Sequence, residues 1–227
     1  MLFRQLFERE SSTYSYLIAS RSGGEAILID PVKGEVPRYL QLIEELDLRL
    51  VFAVDTHVHA DHVTALGDLR TATSCVSIMG SQSKADCVSR KVEDGERLRV
   101  GDVELRALYT PGHTDDSYSF VMNDRVFTGD TLLIRGTGRT DFQHGDARAQ
   151  YASLFGKLLT LPDETLVYPA HDYKGWTVST IGEERAHNPR LQVSSEREYV
   201  AIMNGLKLAN PKLMDLAIPA NLACGVA

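Results

Sequence analysis

The sequence predicts a layered α/β protein. Short apolar strands and amphipathic helices succeed one another in the order strand, helix, strand, as in a βαβ unit. Several strands are followed at once by histidines and acids, and residues beyond strand ends line the ligand crevice of α/β sheets. A length of 227 residues, 43% hydrophobic and 24% charged, suits a folded chain with a substantial core and excludes disordered and fibrous classes.

The elements follow in order. Thr13–Ile18 alternates with period two, and Glu25–Asp30 is a continuous apolar run closed by Pro31, so both read as strands. A helix comes next, with Pro37 in its first turn and Leu40, Ile43 and Leu46 on one face. Leu50–Thr56 is a buried strand, and a second helix is expected over about Asp61–Arg70. Strands are expected at Cys75–Met79, Arg97–Val100, Val103–Tyr109, Tyr118–Met122 and Val126–Thr128, with a tight hairpin at Gly101-Asp102. Ala147–Thr160 reads as a helix and Thr165–Tyr168 as the final buried strand. Ser195–Leu208 is a helix opened by Ser195 and Glu198 in capping-box spacing. No repeat or linker tract divides the chain, so a single domain with a helical tail is the simplest organisation.

Charge and composition narrow the partners. Lys plus Arg number 24 and Asp plus Glu 31, a net charge of −7, which argues against nucleic acid or an anionic membrane as partner. No apolar run reaches the ~18 residues of a membrane span. The N-terminal segment lacks the basic-then-apolar order of a signal peptide and is acidic for a transit peptide, so a cytoplasmic location is expected. Cys75, Cys87 and Cys224 are odd in number and far apart, so neither a disulfide framework nor a thiolate zinc site is expected. Cys224 is read as a buried, apolar-like thiol in preference to a redox-sensitive one, and Cys75 and Cys87 suggest no function.

Five of the seven histidines stand just beyond predicted strands. His57-x-His59-x-Asp61-His62 follows one, His113 another and His171 a further one, while Asp130 follows a fourth. A lone His113 or His171 would more often be a hydrogen-bonded core residue, and Asp130 alone a turn residue. Four metal-ligating side chains within six residues rarely serve packing, however, and the whole constellation points to a metal centre of imidazole and carboxylate ligands suited to Zn, Fe, Mn or Co. His144 and His187 fit no strand end and read as surface residues.

His57, His59, Asp61, His62, His113, Asp130 and His171 together resemble the motif set of the metallo-β-lactamase superfamily. That resemblance implies a four-layer αββα sandwich over residues 1–227, with 176–227 a C-terminal helical extension. Longer strings are more specific. Thr128–Gln143, Tyr168–Gly175, the segment through Asn188-Pro189-Arg190-Leu191, and the tail Ile218–Asn221 with Cys224-Gly225-Val226 are similar to the persulfide dioxygenase family.

The family resemblance implies one Fe(II) per chain held by His57, His113 and Asp130, a two-histidine, one-carboxylate face leaving positions for water, substrate sulfur and O2. It gives His59, Asp61, His62 and His171 a role in orienting those ligands and water. The implied reaction is oxidation of glutathione persulfide by O2 and water to glutathione and sulfite, in sulfide oxidation and detoxification. Arg139 and Tyr173 are the candidates for binding the glutathione moiety, Arg139 by a bidentate carboxylate contact or, alternatively, as a structural salt bridge with Asp141. The reading leaves room for a homodimer and for a functional link to a sulfurtransferase. The alternative is a dinuclear hydroxyacyl-glutathione hydrolase of the glyoxalase II type, with a metal-activated hydroxide.

Overall fold

The computed structural model describes residues 1–226 and divides into two compact units. The first comprises Met1–Val92, Glu96–Leu105 and the chain from Asn210 on; the second comprises Glu93–Gly95 and Arg106–Ala209. Each contains strands and helices, so the chain is α/β, as expected.

In the first unit, strands β1 (Leu2–Glu8), β2 (Thr13–Ala19), β3 (Glu25–Ile29), β4 (Arg49–Val54), β5 (Val76–Gly80) and β6 (Arg90–Val92) form a mixed sheet in sequence order. The first three pair antiparallel and the rest parallel. Crossovers through α1 (Val36–Glu45) and α2 (Leu66–Thr73) make the β3–β4 and β4–β5 pairs, and β5 reaches β6 through a loop without a helix. Tyr39 of α1 and Leu66 and Leu69 of α2 bury against Leu28, Leu50, Ala53 and Met79 of the sheet. β1 was not legible, because only Leu6 along it is buried. β7 (Arg97–Val100) turns through Gly101, at φ +56°, into β8 (Val103–Tyr109), the expected hairpin.

The second unit takes the end of β8 and adds β9 (Tyr118–Val121), β10 (Arg125–Gly129), β11 (Leu166–Pro169) and β12 (Ser179–Thr180), in the order β12-β11-β10-β9-β8. Only β10 and β11 pair parallel; α3 (Ala147–Gly156) lies between them in the chain. α4 (Ile181–His187) and α5 (Glu196–Asn204) complete the cluster, with Ile181, Tyr199 and Met203 buried beside Leu154, Leu158 and Val167. Ser195 caps α5 by accepting from the Glu198 amide, but the Glu198 carboxylate reaches back to the amide and hydroxyl of Ser194 and not to the Ser195 amide, so only half of the expected capping box forms.

Two expectations are corrected. The second helix does not begin at Asp61 but at Leu66. The preceding backbone is held by a side chain from the tail: Asn221, in α6 (Met214–Leu222), takes the carbonyls of His59 and His62 and the amide of Thr64. The cysteines are also not all free thiols. Cys87 and Cys224 form a disulfide with their Cα atoms 5.9 Å apart, and only Cys75 is unpaired and buried. A pairing across 137 residues is created by the fold and leaves no spacing signature in sequence.

Candidate metal centre

In the first unit, the chain leaves β4 at Val54 and enters Asp55–Thr64, an irregular loop carrying His57, His59, Asp61 and His62. The three imidazoles are buried and lie ring against ring, His57 to His59 at 4.1 Å and His59 to His62 at 4.3 Å between centroids. Thr13 of β2 and Asp61 meet His62 Nδ1 at 3.2 and 3.1 Å.

Asp30 anchors this loop and was not singled out from sequence. It sits one residue beyond β3 at φ +50°, fully buried. Its Oδ1 accepts from the Thr56 amide at 2.7 Å and meets His59 Nε2 at 3.1 Å, while Oδ2 accepts from the Thr56 hydroxyl at 3.1 Å. Burial pushes the Asp30 carboxyl up to about 6, against the opposing influence of His57 and the Thr56 bonds. An acid closing a buried strand directly before Pro31 was its only sequence signal.

In the second unit, His113, Asp130 and His171 stand beyond β8, β10 and β11 respectively. Gly112, at φ +139°, lets the chain turn into His113; a Cβ there would lie 2.3 Å from the Gln150 backbone. The Asp130 carboxylate is divided between its neighbours. Oδ1 accepts from His171 Nδ1 at 2.7 Å, and Oδ2 lies 3.5 Å from His113 Nε2. Two ligands at right angles on one ion, with bonds of about 2.0–2.2 Å, stand roughly 3 Å apart. His113 Nε2 and Asp130 Oδ2 are therefore spaced so that both could reach one ion, and His171 meets the carboxylate at its other oxygen. Imidazoles and carboxylates without a thiolate suit a borderline first-row ion.

The substrate candidates differ in setting. Tyr173 is 69% exposed, its ring parallel to that of His171 with centroids 6.1 Å apart. Arg139 is committed within the second unit. Its Nε and Nη2 donate to the two oxygens of Asp141 at 2.6 and 2.7 Å, and Nη1 donates to the Ala209 carbonyl at 2.6 Å. The guanidinium lies over the Phe142 ring at 3.9 Å, and its hydrogen bonds hold the Asp141 carboxyl below the usual range. His144 and His187 are exposed, as expected.

Residues 9–171, which include all seven metal-motif positions, match the metallo-beta-lactamase superfamily. The chain is similar to human "Persulfide dioxygenase ETHE1, mitochondrial", with 51% identity over 229 residues, covering 100% of this chain and 89% of that protein. It superposes on the crystal structure of ETHE1 from Myxococcus xanthus with a TM-score of 0.96 and 55% identity, covering 99% of this chain and 100% of the other. A "Probable hydroxyacylglutathione hydrolase" of Schizosaccharomyces pombe is 36% identical over 166 residues, covering 70% of this chain and 64% of that protein.

Proposed function

Because the chain belongs to the metallo-beta-lactamase superfamily and, within it, to the persulfide dioxygenases, we propose that it oxidises glutathione persulfide with O2 and water to glutathione and sulfite. The outer sulfur loses four electrons and O2 gains them. Both oxygen atoms of O2 pass to that sulfur, water supplies the third oxygen of sulfite, and the inner sulfur leaves as the glutathione thiol.

We assign His57, His113 and Asp130 to one Fe(II) per chain. Bound Fe(II) supplies open coordination positions and a redox-active electron shell that zinc lacks. The observation that carries the one-ion reading is the division of the Asp130 carboxylate, which leaves His171 hydrogen-bonded to a ligand oxygen. His59 is likewise held through Nε2 by Asp30. In this reading His59, Asp61, His62 and His171 orient ligands, water and substrate.

Tyr173 offers an exposed aromatic face to the glutathione moiety. For Arg139 the geometry favours the salt-bridge alternative, since its guanidinium nitrogens already serve Asp141 and the 208–209 carbonyls. It then shapes the substrate side of the centre and does not grip the substrate carboxylate. The reading treats residues 1–227 as one metallo-β-lactamase-like domain with 176–227 as its helical extension. It includes a cytoplasmic location and leaves room for a homodimer and for a functional link to a sulfurtransferase. No helix among the described residues is long and apolar enough to cross a membrane.

Product analysis tests the reaction. Glutathione persulfide should yield sulfite and glutathione in equal amounts only when O2 is present. Hydrolysis of a hydroxyacyl-glutathione thioester at comparable rate, with no sulfite from the persulfide, would replace this reading with the hydrolase.

A further inference from the structure

Gly138 is wedged between the two proposed iron ligands of the second unit. A Cβ on it would lie 2.3 Å from the Asp130 carbonyl oxygen, 2.7 Å from His113 Nδ1 and 2.8 Å from His113 Cγ. These are backbone and ring atoms with no flexible end to give way, so any side chain there would drive the two ligands apart. The backbone fills the space instead. The Gly138 amide donates to the Asp130 carbonyl at 2.6 Å, and the next carbonyl, Arg139 O, lies 2.7 Å from His113 Nδ1.

That second bond sets the state of the imidazole. A carbonyl oxygen only accepts, so His113 Nδ1 carries the hydrogen, and in the neutral ring Nε2 is the nitrogen with a lone pair. Nε2 is the atom facing Asp130 Oδ2.

The segment is held from its far side by buried groups of the helical region. Gln150 of α3 donates to the Gly138 carbonyl at 3.1 Å and accepts from the Tyr199 hydroxyl of α5 at 2.8 Å. The Tyr199 oxygen, its one hydrogen given to Gln150, also lies 3.3 Å from Thr137 Oγ1, placed to accept from the threonine hydroxyl, and Arg190 donates to the Thr137 carbonyl. Gln150 and Tyr199 are fully buried, so these bonds are not exchanged with solvent.

We propose that Thr137-Gly138-Arg139 is a positioning strap that sets the tautomer of His113 and its spacing from Asp130, and that Gln150 and Tyr199 hold the strap in place. The proposal rests on the reading of His113 and Asp130 as metal ligands. It makes metal affinity depend on residues in two helices that bear no ligand.

Co(II) titrated into metal-stripped protein tests this, with affinity and visible absorption as readouts and thermal unfolding as the measure of fold. Gly138→Ala should bind Co(II) at least about 10–100-fold more weakly, with a changed absorption band, while unfolding cooperatively. Gly156→Ala, at the end of α3 with nothing within 4 Å of its Cβ, is the control and should bind like the parent. Tyr199→Phe removes only the hydroxyl and should weaken Co(II) binding by about 3–10-fold. It decides the matter if Gly138→Ala does not fold. A tight parent, a weak His113→Ala, and Gly138→Ala and Tyr199→Phe variants that bind as the parent does would overturn the strap alone. His113→Ala binding as tightly as the parent would overturn the ligand assignment, and the strap with it.

Discussion

The side-chain amide of Asn221 donates to the backbone carbonyl of His59 at 2.9 Å, tying the C-terminal helix to the centre of the histidine loop. The same amide donates to His62 O at 2.8 Å and its Oδ1 accepts from Thr64 N at 2.8 Å, so one buried side chain satisfies three backbone groups of an irregular segment. Asn221→Ala removes all three bonds, at a cost of about 3 kcal/mol. The melting temperature should fall by about 6–12 °C. A shift under about 2 °C by calorimetry would show that the loop holds its shape without the tail.

His171 and His113 should part company when each is replaced by alanine. His113 is assigned to the metal, whereas His171 donates to Asp130 Oδ1. His171→Ala and His59→Ala should keep most of their iron while activity falls by about 10–100-fold; His113→Ala should lose the metal. Equal metal loss in all three would place His59 and His171 among the ligands and point to a dinuclear centre.

Arg139→Ala should act through stability. The variant loses a bidentate pair with Asp141 and charge-assisted bonds to two backbone carbonyls, together about 1.5–3 kcal/mol. A lowered melting temperature with normal iron content and a KM for glutathione persulfide within about threefold of the parent is expected. A KM raised tenfold or more at unchanged stability would return Arg139 to the substrate.

Peptide mapping without reductant should recover Cys87 and Cys224 in one linked fragment and Cys75 as a thiol. Closing a loop of 137 residues stabilises the folded chain by up to about 5 kcal/mol through the entropy of the unfolded one. Dithiothreitol should therefore lower the melting temperature of the parent to that of Cys87→Ser and leave Cys87→Ser unchanged. Equal sensitivity of both proteins to dithiothreitol would remove the disulfide from the account.

Much of this architecture was legible because local signals agreed. Pro37 with Leu40 and Ile43 marked α1, Ser195 with Glu198 marked the start of α5, and the seven motif residues announced a metal site. What sequence hid were relationships made by folding. Asp30 read only as the last residue of an apolar run, yet it supports Thr56 and His59 from 26 and 29 residues away. Asn221 replaced helical bonds between Asp61 and Leu66, so amphipathic spacing misplaced the start of α2. Gly138 lay within the Thr128–Gln143 string with no role of its own, and only the atoms around it disclose that no side chain fits. The Cys87–Cys224 pair and the Arg139 network likewise join positions whose proximity no local pattern encodes.

A single iron serving O2 chemistry on a persulfide can be checked most directly by measuring metal per chain and O2 uptake on the same anaerobically reconstituted preparation, with glutathione persulfide added last. One iron per chain and one O2 consumed for each sulfite formed are expected, with both lost in His113→Ala. Two zinc ions per chain, no O2 uptake, and hydrolysis of a hydroxyacyl-glutathione by the same preparation would contradict that reading.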